Sequence, residues 1–373
     1  MDDGVVDRCY QIVTANLQPI QQTGKTVRDW NRTPRHPYSW GILLPASPDS
    51  SMTAAVSIDH ISKRFANHVA VRDLSLQIPT GMVYGLLGPN GAGKTTTIRM
   101  ILDVLEPDSG TIHIMGAPNG RPGVVDRVGY LPEERGLYRR MTVRRVLLFL
   151  AQLKGVAAAD AARRIDAWLE RLQLVTAERD WGDARVEELS RGMQQKVQFI
   201  GALVHDPDVM ILDEPFSALD PINAQALKDI IIELKRAGKT VIFSTHLMES
   251  AERLCDAVCI IAQGTKLVDG TLAEVRRAHG VQQVALALEG GTRNGVTRIL
   301  QDRTLIARVD DSNQVIELDL APAADPQRLL RALIEAGAVV QRFELVQPSL
   351  HRVFVDRVSA LSPNGEAMEA AHA

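Results

Sequence analysis

The chain has 373 residues, of which 45% are hydrophobic and 23% charged, and its net charge is −3. That length allows two domains, or one large domain with an appendage, in an ordinary soluble globular protein, and the charge gives no ground for nucleic acid as a main partner. No apolar stretch approaches the ~20 residues that cross a bilayer, the N-terminus with Asp2, Asp3 and Asp7 does not read as a secretory signal, and Cys9, Cys255 and Cys259 have neither disulfide-framework nor zinc spacing. A reduced, cytosolic setting is expected, with Cys255 and Cys259 as small packed side chains.

Residues 1–51 carry prolines, a Ser47-Pro48-Asp49-Ser50-Ser51 run and no sustained periodicity. They read as a poorly ordered N-terminal extension, with Met52 as an alternative natural start. Regular structure is predicted just beyond it. Val56–Ile61 alternates like a half-buried strand and opens a hairpin-like segment to Asp73, followed by an alternating strand over Leu74–Ile78. Pro79-Thr80-Gly81 turns the chain into a short apolar run, Met82–Leu87, and Thr111–Met115 is a further short strand.

Residues 142–154 and 158–174 space Val, Leu, Phe, Ala and Trp at helical intervals and read as a helical insert, and a third helix starts at Ser190. A buried strand at Val209–Leu212, a helix near Asn223–Ala237, a strand at Thr240–Ser244 and a helix over Leu247–Leu254 follow. Ala257–Ala262 and Lys266–Asp269 are two short strands. From about 280 to 361 the character changes. Val284–Leu288, Leu305–Val309, Val315–Leu320 and Val339–Val346 read as strands, Asp310–Asn313 as a hairpin turn and Pro326–Ala336 as a helix: a small α+β domain without a catalytic cluster.

Two stretches carry chemistry. Gly88-Pro89-Asn90-Gly91-Ala92-Gly93-Lys94-Thr95, continued by Thr96, lies between an apolar strand and a helix. Glycines there let successive N–H groups turn toward one anion, and the helix start adds unpaired donors and the positive end of its dipole. Lys94 can bridge β- and γ-phosphates and the Thr95 hydroxyl can ligate Mg²⁺, so the chain is expected to bind a nucleoside triphosphate. In the second stretch, Val209–Leu212 ends in Asp213-Glu214. Carboxylates at the end of a buried strand suit Mg²⁺ binding, for Asp213, and activation of an attacking water, for Glu214.

With Leu189-Ser190-Arg191-Gly192-Met193-Gln194-Gln195 between those two stretches, the chain resembles the nucleotide-binding subunits of ATP-binding-cassette (ABC) transporters over about residues 54–275. The resemblance implies a P-loop α/β cassette at 52–277 with N-terminal antiparallel strands and a helical subdomain at about 133–205. A C-terminal α+β accessory domain at 278–361 and a tail at 362–373 follow. It further implies that Ser190 and the Gly192 N–H cap the ATP of an opposite protomer, that Ser217–Asp220 crosses the dimer interface, and that His246 holds the γ-phosphate and attacking water as a neutral imidazole. Phe65 would stack on adenine. Taken alone, Phe65 reads as core, His246 as a structural histidine and Ser190 as a helix cap. The chain departs from the family at Arg191 and Met193, and Glu133 stands where a metal-contacting glutamine is usual. A carboxylate there could still ligate Mg²⁺.

Gly129–Tyr138, the altered signature and the C-terminal domain resemble exporter-type ATPases, including sodium- and drug-efflux systems, and Gln347–Phe354 resembles the closing helix of such subunits. The implied partners are a separate multi-spanning permease and a second nucleotide-binding subunit, most simply a copy of this chain. The implied place is the cytoplasmic face of the membrane. The rival reading is a soluble ABC ATPase acting on DNA or ribosomes; the long coiled-coil insert or second cassette typical of those proteins is not visible in this sequence.

Overall fold

A computed structural model describes residues 54–361, apart from Arg135, Ala218, Ala323 and residues 280–281, 290–293 and 311–314. The expectations for 1–51, for the 362–373 tail and for the turn at 311–313 lie outside the described residues.

Strands β1 (Ala54–Phe65) and β2 (His68–Pro79) form an antiparallel hairpin that closes at the Phe65–His68 pair. The second strand therefore starts six residues before the Leu74 read from the alternation. β3 (Val83–Leu87) then leads through the Gly88–Gly93 turn into α1 (Lys94–Ile101). β4 (Ser109–Ile114) and β5 (Ala117–Pro118) return to the hairpin and complete a sheet in the order β2-β1-β4-β5.

β6 (Val128–Leu131) had no strand signal of its own, being short and centred on a glycine. Packing explains the glycine: a methyl on Gly129 would run into the Ala202 carbonyl. Helices α2 (Val143–Leu153), α3 (Ala158–Arg171) and α4 (Arg191–Leu203) come next. α2 buries Val143, Val146, Leu147 and Ala151, and α3 buries Ala161, Ile165 and Leu169, each a stripe at three- and four-residue spacing. Arg144 of α2 binds Asp166, Asp180 and Asp183, which pins the loop after α3 to the start of α2.

β7 (Val209–Asp213), α5 (Pro221–Arg236), β8 (Thr240–Thr245), α6 (Met248–Leu254), β9 (Ala257–Ala262), β10 (Thr265–Thr271) and α7 (Leu272–His279) complete the central unit. Its six-stranded sheet runs β10-β9-β3-β8-β7-β6, parallel except for β10. β3, β7, β8 and β9 are buried along their whole length, as expected of strands covered on both faces. Alternate residues serve separate cores: Val83 and Leu87 face α2–α6, whereas Tyr84 and Leu86 face α1 and the hairpin sheet. Cys255 and Cys259 are buried free thiols, as expected, and burial pushes both well above the usual thiol range.

Parallel register sets the site. Leu87 pairs with Thr245 and Asp213 with Ser244, so three strands end at one edge of the sheet.

The C-terminal segment forms a four-stranded antiparallel sheet from β11 (Gln283–Leu288), β12 (Ile306–Asp310), β13 (Ile316–Leu320) and β14 (Val340–Val346), in the order β12-β13-β11-β14. α8 (Asn294–Leu300) and α9 (Pro326–Glu335) cover its separate core. α10 (Leu350–Leu361) closes the described chain. α7 and α8 were not expected from the sequence; each is only about two turns long. Among the described residues no helix is long and apolar enough to cross a membrane.

Candidate functional site

The Gly88–Gly93 turn is built by close contacts as well as by torsion. Gly88 has φ 153° and Gly93 φ 106°, and a methyl on either would strike a carbonyl, that of Ile261 or Ala70 respectively. Gly91 has φ 77° with open space around it, so there the left-handed backbone alone asks for glycine. The turn delivers Lys94 as the first residue of α1. Its buried ammonium donates to the Gly88 carbonyl at 2.8 Å and the Pro89 carbonyl at 3.1 Å, and lies 3.7 Å from Glu214 Oε1. Burial lowers the Lys94 pKa below the usual lysine value, and the charges of Glu214, Asp213 and Glu133 oppose that shift.

Asp213, at the end of β7, is 1% exposed. The Ser244 hydroxyl donates to Oδ1, whereas Oδ2 makes no hydrogen bond. Burial raises this carboxyl above the usual range, with Ser244 and Thr95 working against the shift. A buried carboxylate oxygen without a partner, beside the Thr95 hydroxyl, suits a hard divalent cation such as Mg²⁺.

Glu214 is held from several sides. Its backbone is left-handed, φ 46°, an uncommon and strained state for a residue with a side chain. Its N–H donates to Ser244 Oγ at 3.1 Å. Oε1 accepts from the His246 N–H at 3.1 Å and pairs with His246 Nδ1 at 2.9 Å, and Oε2 accepts from Thr245 Oγ1 at 3.3 Å. Since a carboxylate only accepts, Nδ1 carries the proton. In the neutral ring Nε2 is then an acceptor, and it donates to a phosphate oxygen only as the imidazolium.

Lys94, Thr95 and Glu214 line a cleft of about 420 Å³ that also takes in Asn90, Thr96, Glu133 and the hairpin residues Phe65, His68 and Ala70. Asp213 and His246 are outside its lining and reach it through Thr95 and Glu214. Phe65 is 46% exposed at the cleft mouth, not a core residue. Glu133 enters from the loop after β6, and its carboxyl is raised by burial and then by the Asp213 and Glu214 charges. His68 and Ala70 escaped the sequence reading; no local pattern marks them, and only the hairpin brings them beside the loop.

Ser190, Gly192 and Asp220 do not line this cleft. Ser190 caps α4, its hydroxyl accepting from the Met193 N–H at 3.3 Å. Asp220 caps α5, accepting from the Ile222 and Asn223 N–H groups at 3.1 and 3.0 Å. A methyl on Gly192 would lie 3.7 Å from Leu219, so the signature helix and the segment before α5 adjoin. Gln195 of α4 joins them too, donating to the Pro215 carbonyl at 2.6 Å.

A family model described as ABC transporter matches residues 71–217. Over 306 residues the chain is 41% identical to an uncharacterized ABC transporter ATP-binding protein of Bacillus subtilis (strain 168), a match that spans 82% of this chain and 99% of that protein. The chain belongs to the ATP-binding subunits of ABC transporters.

It is an ATPase subunit on that footing. The C-terminal segment also has its family: residues 270–358 match the C-terminal domain of DrrA1-3-like ATP-binding proteins. Nod factor export ATP-binding protein I of Paraburkholderia xenovorans (strain LB400) is 41% identical over 219 residues, 58% of this chain and 71% of that protein. A solved ATP-binding subunit of an ABC transporter aligns over 66% of this chain and its own full length, with 31% identity and a TM-score of 0.56. A dimeric ATP-binding cassette bound to ADP and Pi shares the fold, at 21% identity and a TM-score of 0.53 over 58% of this chain and 98% of that one. Both sequence relatives are transporter subunits, which favours the transport reading over the DNA or ribosome one.

Proposed function

We propose that two copies of this chain bind two ATP molecules between them and drive export through a separate permease at the cytoplasmic face of the membrane. The observation that carries the catalytic reading is the arrangement of Glu214: buried, gripped by His246 at 2.9 Å, and 3.7 Å from Lys94. In this reading Lys94, the loop N–H groups and the start of α1 hold the phosphates, and Phe65 stacks on the base. Thr95 and Asp213 hold the Mg²⁺ that offsets phosphate charge, with Glu133 as a further ligand. Glu214 takes the proton of the attacking water, and His246 keeps the carboxylate aimed.

Ser190 and Asp220 cap their own helices and, with Gly192, are outside the lining of their own chain's cleft, which fits a composite site completed by a second copy. Export is supported by the Nod factor export relative.

The test is size-exclusion chromatography of Glu214→Gln with ATP and Mg²⁺. A stable ATP-bound dimer is expected, and a persistent monomer would overturn the composite site. Affinity purification of the tagged wild-type chain from detergent-solubilised membranes tests the transport reading. One stoichiometric multi-spanning protein supports it, and recovery with ribosomes or nucleic acid instead would restore the rival.

A further inference from the structure

Helix α10 packs into the core of the central unit and not into the core under the C-terminal sheet. Leu350, Val353 and Phe354 are buried in the cluster that holds Met248, Ala251 and Leu254 of α6. Polar ties secure both sides of α10. Its first N–H, on Leu350, donates to Glu252 Oε1 of α6, a carboxylate at the helix end where the dipole favours one. Arg276 of α7 lies 3.3 Å from the same oxygen. On the other side, Arg352 donates to Asp319 of β13 at 2.8 Å and to Asp356 at 2.9 Å.

α6 has seven residues, too few to hold a helix by itself, so its neighbours set its position. One end is joined to His246 through Leu247 alone, whose N–H donates to Thr245 Oγ1 at 3.0 Å. The other end carries Glu252. Close-packed cores pass displacements on rather than absorb them, and small misplacements of catalytic groups are costly. An unbroken chain of contacts thus runs from β13 through Arg352, α10, Glu252 and α6 to the His246–Glu214 pair.

We propose that Glu252 is a positioning residue through which the C-terminal sheet controls the rate of ATP hydrolysis. By capping α10 it fixes α6, and α6 fixes His246 against Glu214. The proposal rests on the roles given above to Glu214 and His246.

The test uses the full chain, with ATP affinity and the number of nucleotide sites measured by equilibrium titration and turnover expressed per site. Glu252→Ala should lower kcat about fivefold or more while the ATP Kd stays within about twofold, since the cleft itself is untouched. Glu252→Gln keeps an acceptor for the Leu350 N–H and should recover most of the turnover. Arg352→Ala, which frees α10 from β13 without touching α6, should show the same fall in kcat at constant Kd and serves as the second variant should Glu252→Ala not fold. Unchanged turnover per site in Glu252→Ala or in Arg352→Ala would overturn the proposal, as would fewer sites with normal turnover at each. Glu214→Gln checks the underlying reading separately: wild-type turnover there would unseat Glu214 whatever Glu252 does.

Discussion

Glu214 and His246 are joined twice, through the His246 main-chain N–H at 3.1 Å and through its ring Nδ1 at 2.9 Å, both to Oε1. The main-chain bond survives any substitution of the ring. His246→Ala should therefore leave Glu214 in place but free to turn, and ATP hydrolysis should fall about 100-fold while the ATP Kd changes less than about tenfold. Phosphate release and a nucleotide titration measure the two separately. Equal losses in both would mean that the histidine serves binding and not the carboxylate.

The glycines of the phosphate loop should not be equivalent. Gly93→Ala places a methyl against the Ala70 carbonyl on a backbone at φ 106°, whereas Gly91→Ala meets open space at φ 77°. Gly93→Ala should cost about 3 kcal/mol or displace the loop from β2, and Gly91→Ala about 1 kcal/mol. Urea unfolding of the two variants reads the difference directly. Similar midpoints would show that the Ala70 contact gives way easily.

Glu133→Gln should leave Mg·ATP binding intact. The change removes one of three carboxylates near Lys94 and retains an oxygen facing the cleft. Loss of binding in a nucleotide titration with Mg²⁺ present would show that the negative charge at 133 is needed to hold the metal.

His205 makes stability depend on pH. Its Nε2 bonds the Val128 carbonyl at 3.2 Å while Nδ1 has no partner. Burial, and then the Lys154 charge, push its pKa down from 6.5 to about 4. Between those two values the unfolded chain binds a proton that the folded chain refuses, so the contribution is present above pH 6.5 and lost as pH falls toward 4. From pH 7 to pH 5 the loss should be about 2 kcal/mol. Urea unfolding at both pH values, on wild type and His205→Leu, checks it; an identical pH dependence in the two chains would contradict the assignment.

The phosphate loop and Asp213-Glu214 were legible because each is a local pattern, a glycine-rich turn or a carboxylate pair placed between an apolar strand and a helix, and local sterics suffice to make it. The hairpin and the α2–α3 insert were legible from their hydrophobic period. Tertiary structure alone decided what those pieces meet. Parallel pairing of Leu87 with Thr245 and of Asp213 with Ser244 brings His246, 32 residues from Glu214, to its carboxylate. A carbonyl of strand β2 makes Gly93 obligatory and a carbonyl of helix α4 makes Gly129 so, each from another part of the chain. The short α7 and α8 carry too few residues for a helical period to show, and α10 could be read as a helix but not assigned to a core. Its place beside α6 depends on Glu252, 98 residues earlier than Leu350, and a contact across that separation leaves no periodic trace in the sequence.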